Sequence, residues 1–125
     1  MEDIFTIAQV AALTGVSIHT LRYYERVGLL DRVDRANSGH RRYGEADVNR
    51  INFLKRLRKT GMSISEMQRF VALYRAGDDT LSERRAMLED HRRAIQAQIA
   101  DLQEIIAFID DKIATYDEQE RINSR

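Results

Sequence analysis

Residues 7–24 carry the pattern that most constrains the fold of this chain, two short amphipathic segments separated by a glycine. Thr6 and Gln9 have the spacing of a capping box, which predicts that a first helix begins here. Gly15 provides the backbone freedom for a sharp turn, and Ser17 is a candidate N-cap of a second helix. Apolar residues at helical spacing predict a shared buried face, and they are Ile7, Val10, Ala11, Leu13, Val16, Ile18 and Leu21. We therefore predict a helix-turn-helix.

The exposed side of the second predicted helix carries side chains that can hydrogen-bond to base edges or phosphates. They are Ser17, His19, Thr20, Arg22 and Tyr23. This composition favours a helix that reads DNA. The alternative interpretation is a helical hairpin with a polar outer face, because the spacing of Ala11, Gly15 and Val16 also occurs by chance.

Two short strands are predicted directly after the second helix, over residues 29–34 and 40–43, with a turn at 37–39. A hairpin at this position is the wing of a winged helix-turn-helix. Its returning strand would bring cations and a phenol to the sugar-phosphate backbone or into a minor groove. These side chains are Arg41, Arg42 and Tyr43. The alternative is that the arginine pair is ordinary solvated surface, but the position of the hairpin favours a wing.

The segments LRYYERVGLL at 21–30 and GHRRYGEADVNRI at 39–51 resemble the MerR family of transcription regulators. The resemblance covers residues 4–77 for the DNA-binding part, and the long helix that follows also fits. By this resemblance, the residues that contact phosphates are Tyr23, Tyr24, Arg41 and Arg58. Two residues depart from the family pattern: His40 stands where a tyrosine is more common, and Gly44 where a serine or threonine more often caps the next helix.

Two further helices are predicted after the wing. The third helix covers residues 47–59 and ends at Gly61, and the fourth begins with a capping box of Ser63 and Glu66 and ends near Gly77. Apolar residues at core spacing indicate that both helices pack in the head.

The outer face of the third predicted helix is basic, with Arg50, Lys55, Arg56, Arg58 and Lys59. We expect a second contact to the duplex backbone from this face, through Arg58. For Lys55 and Arg56, a solvated surface is the favoured interpretation.

A seven-residue apolar repeat dominates the rest of the chain, after a predicted capping box of Thr80 and Glu83. The repeat indicates a coiled-coil seam formed by Leu81, Leu88, Ile95, Ile99, Leu102, Ile106, Ile109, Ile113 and Tyr116. A helix over residues 81–117 would be roughly 55 Å long at about 1.5 Å per residue, too long for a small head to cover. The seam is therefore predicted to meet the same seam of a second chain in a homodimer.

The charges along this helix predict how the two chains pair. Residues 81–97 hold four arginines and three acidic residues, whereas residues 98–120 hold one lysine and seven acidic residues. A parallel pair would place acid beside acid, while an antiparallel pair brings the arginines near the partner's acidic residues. The predicted fold is mainly α, with a winged helix-turn-helix head at 1–77. A long antiparallel coiled-coil dimerisation helix and a short tail follow at 78–125.

The distribution of charge locates polyanion binding in the first half of the chain. The 125 residues are formally neutral, but residues 1–60 hold 11 basic and 7 acidic residues, while residues 61–125 hold 9 and 13. The sequence has no apolar run of membrane-spanning length and no signal-peptide pattern. We therefore expect a cytoplasmic protein with no membrane partner.

Two DNA-reading heads related by a twofold axis imply a pseudo-palindromic operator in double-stranded DNA. The family resemblance implies a dimer that lies between two promoter elements and distorts the DNA so that RNA polymerase engages both. Two alternatives stay open. One is a DNA-architectural or chromosome-organising protein with the same head, and the other is a coiled-coil interaction adaptor in which the basic head is incidental.

No cofactor and no metal site are predicted. The chain has no cysteine, which disfavours thiolate metal sites, iron-sulfur clusters and thiol sensors. His19, His40 and His91 are dispersed in sequence and are interpreted as solvated or DNA-facing. We place no catalytic constellation and expect no enzymatic activity. The effector stays unknown. Any effector is predicted to bind where the fourth helix, with Phe70 and Tyr74, meets the start of the partner's coil, although core packing is the stronger interpretation of both residues.

Overall fold

A computed structural model of the protein describes residues 4–31 and 42–125. Its helices are α1 (Ile7–Thr14), α2 (Ile18–Arg26), α3 (Glu45–Lys59), α4 (Ile64–Ala76) and α5 (Leu81–Asn123), with a 3₁₀ turn at Asp78–Thr80. The chain divides into two compact units after Arg84, and each is described by itself. The mainly α fold expected from the sequence is confirmed. The functional division at residues 77/78 stays a prediction.

The helix-turn-helix forms through the local hydrogen bonds that its sequence predicts. The backbone N–H of Thr6 donates to Gln9 Oε1 (2.9 Å), and the N–H of Gln9 donates to Thr6 Oγ1 (3.2 Å). α1 ends at Gly15, whose φ of 71° lies in the left-handed region that favours glycine. Ser17 Oγ accepts a hydrogen bond from the N–H of Thr20 (3.1 Å) and so caps α2.

Thr14, and not Leu13, occupies the buried side of α1 at its C-terminal end. Leu13 is 58% exposed, so its predicted place on the buried face is wrong. The Thr14 hydroxyl donates to the carbonyl of Val10 (2.8 Å) and accepts from the N–H of Val16 (3.2 Å). These two bonds satisfy the buried hydroxyl and hold the chain in the turn.

The head is stabilised by one apolar core to which α1, α2, α3 and α4 all contribute. Fully buried side chains come from each of these helices: Val10, Leu21, Ile51, Leu54 and Met67. α1 and α2 have 8 and 9 residues, shorter than the ~12–15 residues below which isolated helices are marginal in water. Packing on this core therefore keeps them helical.

The described part of the segment between α2 and α3 corrects the predicted hairpin. Leu29 and Leu30 are buried and form a bend, because both backbone N–H groups donate to the Tyr24 carbonyl at the end of α2 (2.8 and 3.3 Å). The backbone of Tyr43 pairs with Phe5 in an isolated antiparallel bridge, through bonds of 2.7 and 2.8 Å. A strand beginning at Leu29 is therefore wrong, and residues 32–41 of the predicted wing lie outside the described residues.

α3 begins two residues before its predicted start. The carboxylate of Asp47 accepts a hydrogen bond from the N–H of Gly44 (2.9 Å), which is the reciprocal half of a capping box; glycine has no side chain to supply the other half. α4 begins as predicted after Ser63, whose Oγ accepts from the N–H of Glu66 (3.1 Å).

The start of α5 differs from the predicted capping box. Instead of capping with Glu83, the Thr80 hydroxyl lies 2.6 Å from the carbonyl oxygen of Leu73 and 2.7 Å from that of Gly77. It also accepts a hydrogen bond from Arg84 Nε (3.0 Å). Thr80 therefore closes the C-terminal end of α4.

α5 is a continuous helix of 43 residues, and from Arg85 to Asn123 it forms all but the last two residues of the second unit. Its apolar residues from Ile99 to Tyr116 are about half exposed or more, including Leu102 (58%), Ile106 (58%) and Ile113 (60%). The predicted seam thus has no apolar cover within the second unit. Among the described residues, none of the helices combines the length and hydropathy needed to cross a membrane.

Candidate nucleic-acid interface

The exposed face of α2 presents polar and cationic side chains on a firmly anchored helix. Leu21 and Tyr24 are buried on its inner side, with 0% and 5% of their surface exposed. His19 and Arg22 are exposed on the outer side, and Tyr23 is 36% exposed. The structure therefore orients this helix as the sequence predicts.

Ser17 and Thr20 bond to each other at the N-terminus of α2. Ser17 Oγ donates to Thr20 Oγ1 (3.0 Å) while it also accepts from the Thr20 backbone. The sequence placed both hydroxyls on the DNA-reading face. In the unbound head they hold the first turn of α2 together, and the positive end of the helix dipole lies at this turn.

Tyr23, Tyr24 and Arg58 are brought together at the side of α2. The family resemblance assigns all three to phosphate contacts, and those contacts stay a prediction. The ring centroids of the two tyrosines lie 6.3 Å apart. Burial raises the pKa of the Tyr24 phenol, and the positive charge of Arg58 partly offsets this rise. The phenol therefore stays protonated at neutral pH. Arg58 Nη1 also donates to the Met62 carbonyl (3.2 Å), which orients the guanidinium.

Arg26 is a neighbour of this cluster that the sequence interpretation did not single out. Its guanidinium carbon lies 5.9 Å from the centroid of the Tyr23 ring. Arg26 is also the last residue of α2, where a cation interacts favourably with the helix dipole. The sequence could have indicated this contact, because residues three apart on a helix, such as Tyr23 and Arg26, are neighbours on its surface.

Lys55 is exposed, as the sequence interpretation predicts, but its ammonium also contacts the turn of the helix-turn-helix. Lys55 Nζ donates to the carbonyl of Thr14, the last residue of α1, at 2.7 Å. A Cβ added to Gly15 would lie 3.1 Å from the same nitrogen. The ammonium thus lies close to the turn, where the positive φ of residue 15 already favours glycine.

Of the predicted wing residues, the structure describes Arg42 and Tyr43, which differ in exposure. Tyr43 is 1% exposed and lies in the core, so its predicted position on an exposed strand is wrong. Pairing of its backbone with Phe5 accounts for this burial. Arg42 is exposed, and Arg41 lies outside the described residues.

Asp31, which follows α2, pairs with two arginines from α3 and α4. Asp31 accepts from Arg50 Nη1 on α3 (3.0 Å) and from Arg75 Nη2 on α4 (2.7 Å), and Arg75 Nη1 also donates to the Gly28 carbonyl (2.9 Å). Burial alone would raise the pKa of Asp31, but the hydrogen bonds from Arg75 and Arg50 outweigh it and hold the pKa below its ordinary value. Arg50 is therefore engaged with this carboxylate within the basic face of α3.

No metal centre is found in the described part of the chain. Within residues 4–31 and 42–125, no group of three or more histidine, cysteine or acidic side chains is arranged to hold an ion. His19 and His91 belong to different units, and His40 lies outside the described residues.

Two protein-family models match the head and the first part of α5. The model of the MerR HTH family regulatory proteins matches residues 5–73, and a second model, MerR, DNA binding, matches residues 48–112. The chain belongs to the MerR family. The two matches together extend from the start of the head into α5, so MerR-type sequence includes both units of the protein.

Similar proteins support the MerR assignment over the full chain. An HTH-type transcriptional regulator of Haemophilus influenzae is 34% identical over 120 residues, which cover 96% of this chain and 89% of the relative. The HTH-type transcriptional regulator AdhR of Bacillus subtilis is 44% identical over 89 residues, covering 71% of this chain and 64% of AdhR.

A solved MerR structure is similar in both sequence and fold. HiNmlR, a MerR family regulator lacking the sensor domain, was crystallised bound to promoter DNA. It superposes with a TM-score of 0.90 at 33% identity, covering 97% of this chain and 92% of that chain. A MerR family regulator from Listeria monocytogenes gives a TM-score of 0.84 at 36% identity, covering 90% of this chain and 86% of that chain.

Proposed function

We propose that this MerR-family chain is a transcription regulator that binds promoter DNA with α2 as the reading helix. The observation that carries the proposal is the exposed row of His19, Arg22 and Tyr23 on a helix anchored by buried Leu21 and Tyr24. Arginine donates two parallel hydrogen bonds to guanine in a major groove, and histidine can bond to either purine. HiNmlR, which is similar in sequence and fold, was crystallised bound to promoter DNA, and this supports promoter-DNA binding here.

The phosphate contacts of the proposed interface come from the sides of α2. Tyr23, Tyr24 and Arg58 form one cluster, in which Arg58 supplies the charge and Tyr23 an exposed phenol. Tyr24, being buried, acts here by positioning its neighbours. Arg41 and Arg42 supply contacts from the wing, and phosphate contacts of this kind set register while base contacts set sequence preference. Ser17 and Thr20 contribute through the capped N-terminus of α2.

The protein binds DNA as a homodimer in this proposal, through the exposed apolar residues of α5. Side chains such as Leu102, Ile106 and Ile113 are more than half exposed on a single chain, and a contiguous apolar stripe of this kind favours association. An antiparallel pair brings arginines from the first half of α5, such as Arg92 and Arg93, near the acidic end of the partner's helix. Each exposed ion pair contributes only about 0 to 1 kcal/mol, so the charges select orientation and the apolar stripe supplies stability.

The regulatory step is proposed to be a distortion of promoter DNA. Two heads on a twofold axis fit a pseudo-palindromic operator, and a bent or undertwisted spacer would let RNA polymerase engage both promoter elements. Bending costs on the order of 1 to 6 kcal/mol, which contacts in the bound complex must offset. Binding and distorting promoter DNA takes place at the chromosome, so we propose a cytoplasmic location. Neither step requires enzymatic chemistry.

A footprint of the purified protein on the DNA upstream of its own gene tests the proposal. We expect protection of two symmetric half-sites between the promoter elements, with His19→Ala altering the preference among operator sequences. Protection at many dispersed sites would instead indicate an architectural protein. Failure to shift DNA even at low salt would contradict DNA binding and favour a coiled-coil adaptor.

A further inference from the structure

A cavity of about 450 Å³ lies within the first unit, between α3 and α4. Its walls include Phe53 and Phe70, whose ring centroids are 5.4 Å apart, and its rim carries Asn49, Arg50, Tyr74 and Arg84. Ligand sites in proteins commonly have volumes of roughly 300–1,000 Å³ and an apolar lining with a few placed polar groups. The volume and lining of the cavity fit this description, and none of its lining residues comes from α2.

The rim of the cavity is positively charged. The guanidinium carbons of Arg50 and Arg84 lie 4.9 and 5.3 Å from the centroid of the Tyr74 ring. The lining residues include no carboxylate. The two cations are thus held beside an aromatic ring at the opening of an apolar pocket.

The two arginines differ in how far their charge is already neutralised. Arg50 pairs with Asp31 at 3.0 Å. Arg84 donates to the hydroxyl of Thr80 (3.0 Å) and the carbonyl of Gly77 (3.3 Å), both neutral groups. Of the five N–H donors of its guanidinium, three remain for a ligand within the described structure. No acidic partner of Arg84 is found among the described residues, so Arg84 is the anion-binding group of the rim.

We propose that this cavity binds a small amphipathic carboxylate, an aromatic acid whose ring packs on Phe53 and Phe70 and whose carboxylate pairs with Arg84. An organic cation is disfavoured by two guanidinium groups and no acid in the lining. A metal ion finds no suitable ligand set there, and a highly polar anion would leave the aromatic walls uncovered. A planar carboxylate matches the fork geometry of arginine.

The position of the cavity gives ligand binding a route to the DNA-binding surface, a consequence that rests on the proposed function. α3 lines the cavity with Asn49 and Phe53, and Lys55 on the same helix bonds to Thr14 at the helix-turn-helix. Arg50 joins the same helix to Asp31, which follows α2 in the chain. A ligand that displaces α3 therefore changes DNA affinity, and by reciprocity DNA changes ligand affinity by the same factor.

Indole-3-acetate is a suitable probe, because the chain contains no tryptophan and indole fluorescence reports on the probe alone. Its uncharged analogue indole-3-acetamide has the same ring and differs at the carboxylate. We expect saturable binding of one indole-3-acetate per chain to the full-length protein without DNA. The amide should bind at least about tenfold more weakly, since a charge-assisted pair is lost.

Matched variants separate the cavity from nonspecific attraction. Arg84→Gln should weaken the carboxylate by about tenfold and leave the amide unchanged. Arg85→Gln removes the same charge from the next residue, which is exposed and pairs with Glu89, and should leave both probes unchanged. Asn49→Phe fills the cavity without changing its charge and should abolish both. Thermal melting confirms that each variant is folded.

The outcomes decide the proposal independently of DNA binding, which is measured on the same samples in the absence of probe. Equal binding of acid and amide, or equal losses for Arg84→Gln and Arg85→Gln, would overturn it. Absence of saturable binding to the native protein would overturn it as well. If binding then appears only in the seam variant Ile106→Asp, a second copy of the chain is the occupant of the cavity.

Discussion

Lys55 Nζ donates a 2.7 Å hydrogen bond to the carbonyl of Thr14, a residue 41 positions earlier in the chain. The carbonyl belongs to the last turn of α1, where the helix leaves carbonyl groups without intrahelical partners. The bond ties α3 to the corner between α1 and the reading helix. It therefore links the orientation of α2 to the position of α3.

Lys55→Met should loosen this corner. The substitution keeps most of the alkyl chain and removes the ammonium, so we expect a loss of about 1 kcal/mol in the free energy of unfolding, together with weaker operator binding. Thermal melting and a DNA titration measure the two effects. Lys59→Met removes the same charge from an exposed position of α3 and is the control. Equal effects of both variants would show that the charge of α3 matters and not the bond.

Arg41→Ala should weaken binding to all DNA sequences alike, because the wing is predicted to contact phosphate. Removing one phosphate contact lowers the dependence of log affinity on log salt by about one unit. Titrations over a range of salt concentrations, with operator and unrelated DNA, measure this slope. The control is Arg125→Ala, which removes the same charge from an exposed position at the end of the chain. An unchanged slope and affinity for Arg41→Ala would remove the wing from the interface.

Ile106→Asp should abolish dimerisation. Ile106 is 58% exposed in the single chain and lies in the predicted seam, where a carboxylate would be buried against apolar partner residues at a cost of several kcal/mol, on the order of 3 to 5. Light scattering after size exclusion gives the mass in solution. Ala107→Asp introduces the same charge one residue further on, away from the seam, and should remain dimeric. A stable dimer of Ile106→Asp would show that α5 does not pair through this stripe.

Asp31→Asn should destabilise the protein at neutral pH and have little effect in strong acid. The pKa of Asp31 in the folded state is lowered from its ordinary value of 3.8, so its ion pairs stabilise the fold above that pH. The contribution is lost as the pH falls through the still lower folded pKa. Melting temperatures of the wild type and the variant, compared across pH, measure it, and Asp101→Asn on exposed α5 is the control. A difference that persists unchanged in strong acid would mean that the charge of Asp31 is not its source.

The short-range features of the head could be predicted from the sequence. Thr6 with Gln9, Gly15, and Ser17 with Thr20 act within three residues or at a single backbone position, so their order along the chain is sufficient. The apolar repeat of α5 is equally local, because helical periodicity alone places its members on one side. The outward face of α2 follows from the same periodicity.

Only the tertiary structure decided the contacts between distant segments. Tyr43 is predicted to be an exposed wing residue, but its backbone pairs with Phe5 and its side chain is buried. Lys55 is exposed, and its bond to Thr14 depends on the packing of α3 against the end of α1. Asp31 meets Arg75 across 44 positions, and the cavity beside Arg84 exists because α3 and α4 pack at their particular distance. Sequence periodicity determines which side of an element is apolar, but the partner that covers that side depends on how whole elements pack. That packing depends on the apolar surface that all the helices bury together. A spacing within one segment carries no information about it.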